Sequence, residues 1–325
     1  MLFRSTYYYR VRSENPEGFS DYSATIEITT PGFVVENLPI LKDVENGIFE
    51  MGSINGNEDE MPLREITLTN NFQIAETEIT NAQYCELLNW ALGKGKIKGI
   101  LSNDLNYANN AIQFETMLDS TNTDCQLNYR SSEEIFEVVN EMDNHPITAV
   151  TWYGAAAYSN WLSEVTANSA LYTISASPMW SCDTYGDVGY RLPTEAEWEF
   201  AAIGGNNSSN YLYSGSDAIE DVAWYIVNCD GIQPVKILAG NELNIYDMSG
   251  NLWEWCNDYY SEYNPDETEN PEVITGGYPF RKVIRGGSLE FGESYHRSTN
   301  RSSCKASLDY GRVNTSIGFR VVLID

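Results

Sequence analysis

Basic side chains are scarce in this sequence of 325 residues: 19 Lys and Arg stand against 47 Asp and Glu, for a formal charge of −28, and there are two histidines. So acidic a surface repels phosphate backbones and anionic headgroups, which excludes nucleic acid and acidic membranes as partners. No run of about 18 apolar residues occurs, so no segment reads as a transmembrane helix. The opening stretch, Met1-Leu-Phe-Arg-Ser-Thr-Tyr-Tyr-Tyr-Arg10, lacks the apolar core of a secretion signal. No C-x-x-C pair is found among Cys85, Cys125, Cys182, Cys229, Cys256 and Cys304, and their separation excludes a zinc site. They read as buried thiols, with one or two disulfides open to an exported protein. No repeat appears at a period of about 20–50 residues.

What is present suffices for a core: 42% hydrophobic and 13% aromatic residues argue against wholesale disorder. The acidity has two readings, solubility outside the cytosol or hard oxygen ligands for a cation such as Ca²⁺.

Three segments are expected along the chain. Tyr7–Arg12 and Ala24–Thr30 are rich in β-formers and flank a turn at Asn15-Pro-Glu-Gly18. This hairpin over residues 1–31 resembles the last two strands of a fibronectin type III module. Two strands do not make a sandwich, so the chain is expected to begin inside a longer protein; a hairpin docked on the main domain is the other reading. Residues 32–46 read as a linker, and 47–325 as the main domain.

Within that domain Ile48–Ser53, Ile66–Leu68 and Phe72–Ala75 read as strands. Thr80–Trp90 reads as a capped amphipathic helix, and a second helix starts at Thr151. Thr194-Glu-Ala-Glu197 is a capping box opening a third, which Gly204-Gly205 ends. Lys94–Asp143 reads as an insertion with little fixed structure. Val222–Asp325 reads as short strands and Gly turns. The total is low in helix and mixed, an α+β domain.

Several blocks then occur in a telling order. Phe49-Glu-Met-Gly-Ser is followed by Glu76-Thr-Glu-Ile-Thr-Asn-Ala-Gln-Tyr84, His145-Pro-Ile-Thr-Ala-Val-Thr-Trp152 and Arg191-Leu-Pro-Thr-Glu-Ala-Glu-Trp198. Ser249-Gly-Asn-Leu-Trp-Glu-Trp255, Arg285-Gly-Gly-Ser288 and Gly318-Phe-Arg320 complete the series. In this sequence the chain resembles the formylglycine-generating enzyme (sulfatase-modifying factor) family from about Gly47 to Asp325. The resemblance implies a C-type-lectin-like α+β fold with little regular secondary structure.

It also implies structural calcium, held by Asp247, the carbonyls of Gly250 and Leu252, and Glu254, with Glu60 at a further acidic position. Gly permits the turn, alternate carbonyls point one way, and two carboxylates neutralise a dication. The alternative is that Asp247 and Glu254 only accept hydrogen bonds from loop amides. No second calcium motif is recognisable between Val227 and Ala239.

Active relatives bind copper(I) through two cysteines shortly after the Gly-Gly-Ser segment and oxidise a protein cysteine to formylglycine. Here the segment reads Gly286-Gly-Ser-Leu-Glu-Phe-Gly-Glu-Ser-Tyr-His-Arg297, and the matching positions are Phe291 and His296. Phenylalanine cannot ligate the soft ion that thiolates select, so no catalytic residue and no copper are expected, unless His296 and Cys304 form a weaker site. The related iron sulfoxide synthases use three histidines, against His145 and His296 here; His145 reads as structural.

Three functions follow. A surface binding module would use the Ser-, Tyr- and Arg-rich region Leu289–Ser316, with Tyr295, Arg297, Asn300, Arg301 and Tyr310 meeting a protein or glycan. Retroelement-diversified bacterial proteins vary this part of the same fold. A structural role in the cell envelope is the second, and a divergent oxidoreductase acting on a protein cysteine the third. The expected location is extracellular or the cell envelope.

Overall fold

The computed structural model describes residues 6–10, 12, 14–15, 18–29, 35–97, 100–101, 104–107, 115–119, 122–174, 180–275, 280–307 and 316–324. It divides at Glu36 into two units. In the first, β1 (Thr6–Tyr9) pairs antiparallel with β2 (Ile26–Thr29), Thr6 opposite Thr29.

The second unit is mixed, about 18% helix and 25% strand over the chain. One antiparallel sheet joins four strands: β3 (Leu41–Val44), β4 (Phe72–Ala75), β5 (Gly189–Arg191) and β6 (Val322–Ile324), in the order β5-β6-β4-β3. The linker expected at 32–46 therefore holds a strand: β3 pairs Leu41 with Ala75 and buries Val44. A second sheet is built on β7 (Trp253–Tyr259), flanked by antiparallel β8 (Arg281–Arg285) and parallel β9 (Ile317–Gly318), with β10 (Arg301–Lys305) outside β8. The C-terminal strands β9 and β6 belong to different sheets. Phe319, Arg320 and Val321 make the crossing and are fully buried.

Three of the helices, each of eight residues or more, are started by a threonine. Thr80 caps α1 (Asn81–Gly93), Thr151 caps α2 (Trp152–Val165) and Thr194 caps α3 (Glu195–Ala202); each hydroxyl accepts from the amide three residues on. At Thr80 and Thr194 the residue three on, Gln83 or Glu197, returns the bond in a capping box. Helix α2 is buried along nearly its whole length, and its three alanines admit close neighbours.

The insertion expected to have little fixed structure contains strands among its described residues. A hairpin of Leu127–Arg130 and Ile135–Val138 buries Leu127 and Phe136, and Glu115–Asp119 places Met117 and Leu118 in the core. The reason is a polar clamp: Asn89 of α1 accepts from the Phe136 amide at 2.7 Å and donates to its carbonyl at 2.9 Å. All six cysteines are free thiols.

Candidate functional site

Helix α3 organises the polar interior. Its Glu195, Glu197 and Glu199 are all buried, which is tolerable only because each meets a guanidinium. Arg191 grips Glu197 through two bonds, at 2.6 and 2.7 Å. Arg285 donates to Glu195 and Glu199, and Arg301 to both oxygens of Glu195. Asp258 accepts from the Glu195 amide at the start of α3. Burial and the neighbouring Glu272 and Glu195 push Asp258 up to about 8.

Beside this network lies the turn before β7. Gly250 has φ of +89°, and a side chain there would collide with the Trp224 backbone. Glu254 accepts from Trp198 Nε1 at 2.8 Å and from Arg320 Nε and Nη2 at 2.7 and 2.6 Å. Asp247 accepts from the Lys236 amide at 2.7 Å. Glu78 accepts from the Leu252 amide and from Asn251 Nδ2, both at 3.1 Å.

Three buried carboxylates thus face one guanidinium, Arg320. Burial, then the charges of Asp247 and Glu254, push Glu78 well above the usual carboxylate range. Burial is also what lifts Asp247 to about 6. By charge these residues fit a cation. By geometry any ion would depend on the carbonyls of Gly250 and Leu252, because among the described residues no three His, Cys, Asp or Glu side chains form a metal-holding group. Glu60 belongs elsewhere: it is fully buried against Arg297, which donates to both its oxygens at 2.6 Å, and it also accepts from Thr299 and the Asn57 amide.

The segment after Arg285-Gly-Gly-Ser288 folds into a tight turn. At Gly287, φ is +78° and an added Cβ would lie 2.8 Å from the Tyr295 carbonyl. Phe291 packs against Tyr295 at 4.8 Å and Trp253 at 5.8 Å between ring centroids. His296 is fully buried, its Nδ1 3.0 Å from the Gly292 carbonyl and its Nε2 3.1 Å from the Ser288 carbonyl. Burial holds its imidazole below the usual range, against the pull of those carbonyls. With one position carbocyclic and the other's nitrogens engaged by backbone, the residues present do not fit copper(I).

The expected recognition residues separate. Tyr295 is 42% exposed. Arg297 is half-buried in its pair with Glu60, while Asn300 and Arg301 are buried, Arg301 under Tyr263 and Tyr260. Arg301 serves the interior, since moving it outward would strand Glu195, and Arg297 is engaged by its pair with Glu60. Tyr310 lies outside the described residues.

Residues that sequence reasoning missed stand in their place. The Tyr295 turn is flanked by Leu212 and Ile226: the Leu212 carbonyl accepts from Ser298, and the Ile226 amide donates to the Phe291 carbonyl. Leu212, Ile226 and Val227 are 49%, 59% and 74% exposed. No motif marks them. Glu78 was also missed as a site residue, although it sits inside the Glu76-Thr-Glu block.

Comparison with known proteins bears on the fold. The model of the sulfatase-modifying factor enzyme 1-like domain matches residues 35–324. The chain belongs to this family. Within and around it, a formylglycine-generating enzyme of Streptomyces coelicolor is 26% identical over 84% of this chain and 86% of its own. The serine/threonine-protein kinase pkn1 of Chlamydia pneumoniae is 29% identical over 87% of this chain, which spans only 38% of that kinase's length. Among solved structures, Treponema denticola variable protein 1 superimposes with a TM-score of 0.63 at 21% identity, covering 98% of this chain and 99% of the other. The last likeness establishes the shared fold.

Proposed function

We propose that this chain is a non-catalytic recognition module built on the sulfatase-modifying factor scaffold, displayed outside the cell or on its envelope. The observation that carries the proposal is the state of the Gly-Gly-Ser turn. Phe291 meets Trp253 edge to face, both ring nitrogens of His296 lie within 3.1 Å of backbone carbonyls, and exposed Leu212, Ile226 and Tyr295 flank the turn. Apolar side chains left in water on adjoining loops are what a partner would cover. Structural calcium is part of the same proposal: Asp247, Glu254 and the carbonyls of Gly250 and Leu252 would hold it, offsetting the excess of buried negative charge.

Copper(I) competition against a chromophoric chelator tests the first half. The full chain should leave the chelator complex intact, as should Phe291→Ala. Stoichiometric removal of copper(I) by the wild type, abolished in His296→Ala and Cys304→Ser, would instead support a divergent oxidoreductase.

A further inference from the structure

Next to the Tyr295 turn lies a groove of about 430 Å³. One wall comes from the segments before and after the insertion hairpin (Asp124, Val139, Met142), the other from Asp230, Leu289 and Glu290. Asp124, Asp230 and Glu290 are exposed at its edge, whereas Val139, Met142 and Leu289 are half-buried along it. No Lys, Arg or His is among the described residues that line it.

The walls are built rather than incidental. The Val139 amide donates to the Gln126 carbonyl at 2.8 Å, and Val235 to Asn144 at 2.9 Å, which ties the 230s loop to the insertion. Buried Asn251 joins both sides of the opposite wall. Its carbonyl accepts from Leu289 at 3.0 Å, and its side chain exchanges bonds with Gln233, each at 3.1 Å. Glu290 is held in turn by the Ser316 hydroxyl at 2.6 Å. A ligand entering here meets one carboxylate, Glu290, already held in place, and spends little freedom on ordering it.

From these features, and resting on the recognition reading above, we infer that the groove takes a polypeptide segment bearing a Lys or Arg side chain with apolar neighbours. Charge complementarity selects the cation: three carboxylates, with no Lys, Arg or His among the described residues that line the groove, lower the energy of a positive group and raise that of a negative one. The apolar floor selects what flanks it. A glycan is disfavoured because no aromatic ring for a sugar face is among the described residues that line the groove. The volume lies in the range of pockets that enclose a few side chains.

Short peptide libraries with a fixed central Arg, Lys, norleucine or Glu, titrated by fluorescence anisotropy against the full chain, test this. Arg and Lys libraries should bind at least about tenfold more tightly than the others, and the preference should shrink as salt screens the carboxylates. Asp230→Asn combined with Glu290→Gln should erase the preference. Equal binding of all libraries, a preference that survives the double variant, or spermidine binding as tightly as the best library would overturn the inference. Peptide binding lost in Tyr295→Ala/Ile226→Ser but indifferent to the double variant would retain the recognition face and remove the groove. Copper(I) uptake by the wild type would remove the recognition reading, whatever the peptides do.

Discussion

At the residue scale, the account rests on charges that cannot be left alone. Arg320 is fully buried and pairs with Glu254 while Glu78 and Asp247 lie close by. Replacing Arg320 by Met should cost about 3–5 kcal/mol in urea denaturation, because it strands a buried carboxylate cluster. Added calcium should return part of that loss. Glu254→Ala should lower the melting temperature in calcium by more than in chelator, and equal losses would remove the calcium proposal. Lys282 gives a pH test. It is buried over Trp152 and Tyr259, at 4.1 and 3.8 Å, and burial depresses its amine to about 7. Below pH 7 both folded and unfolded chains hold the proton. Between pH 7 and the unfolded value near 10.5 only the unfolded chain keeps it, so the lysine's contribution to stability rises with pH there. Relative to Lys282→Met, the wild type should gain up to about 1.4 kcal/mol per pH unit across that window. A flat difference would contradict the burial.

At the scale of elements, the caps and blocks were readable and the insertion was not. Thr80, Thr151 and Thr194 announce their helices because a hydroxyl before an apolar period has a local role that few other settings reproduce. Thr194→Ala should cost about 1–2 kcal/mol. The sequence around Glu195, Glu197 and Glu199 shows a capping box but not its partners. Arg285 and Arg301 lie about a hundred residues away, and only the fold brings them to α3. Asn89 is equally silent: nothing local says that it will clamp Phe136 and so order a stretch whose composition reads as loop. Amide exchange should therefore find Leu127–Val138 protected in the wild type and faster in Asn89→Ala. Exchange at random-coil rates in the wild type would restore the unstructured reading. The same limit applies to the recognition residues, where Arg301 looks like a surface contact by type and proves an interior ion pair by position.

At the scale of the molecule, the family scaffold is kept by long-range contacts that the motif order encodes: the C-terminal Gly-Phe-Arg crosses between two sheets, and the Trp-Glu-Trp strand anchors one of them. An aromatic plug and a carbonyl-bound imidazole stand at the positions where the resemblance leads one to expect thiolates, next to a face and a groove suited to association. Strong net acidity adds that such association should favour basic partners and weaken with salt. The most direct measurement is the mass of a cysteine-bearing peptide incubated with the full chain, copper(I) and oxygen. A recognition module leaves the thiol peptide no faster converted than copper alone does. Catalytic conversion of the cysteine to the aldehyde by the chain would contradict the account.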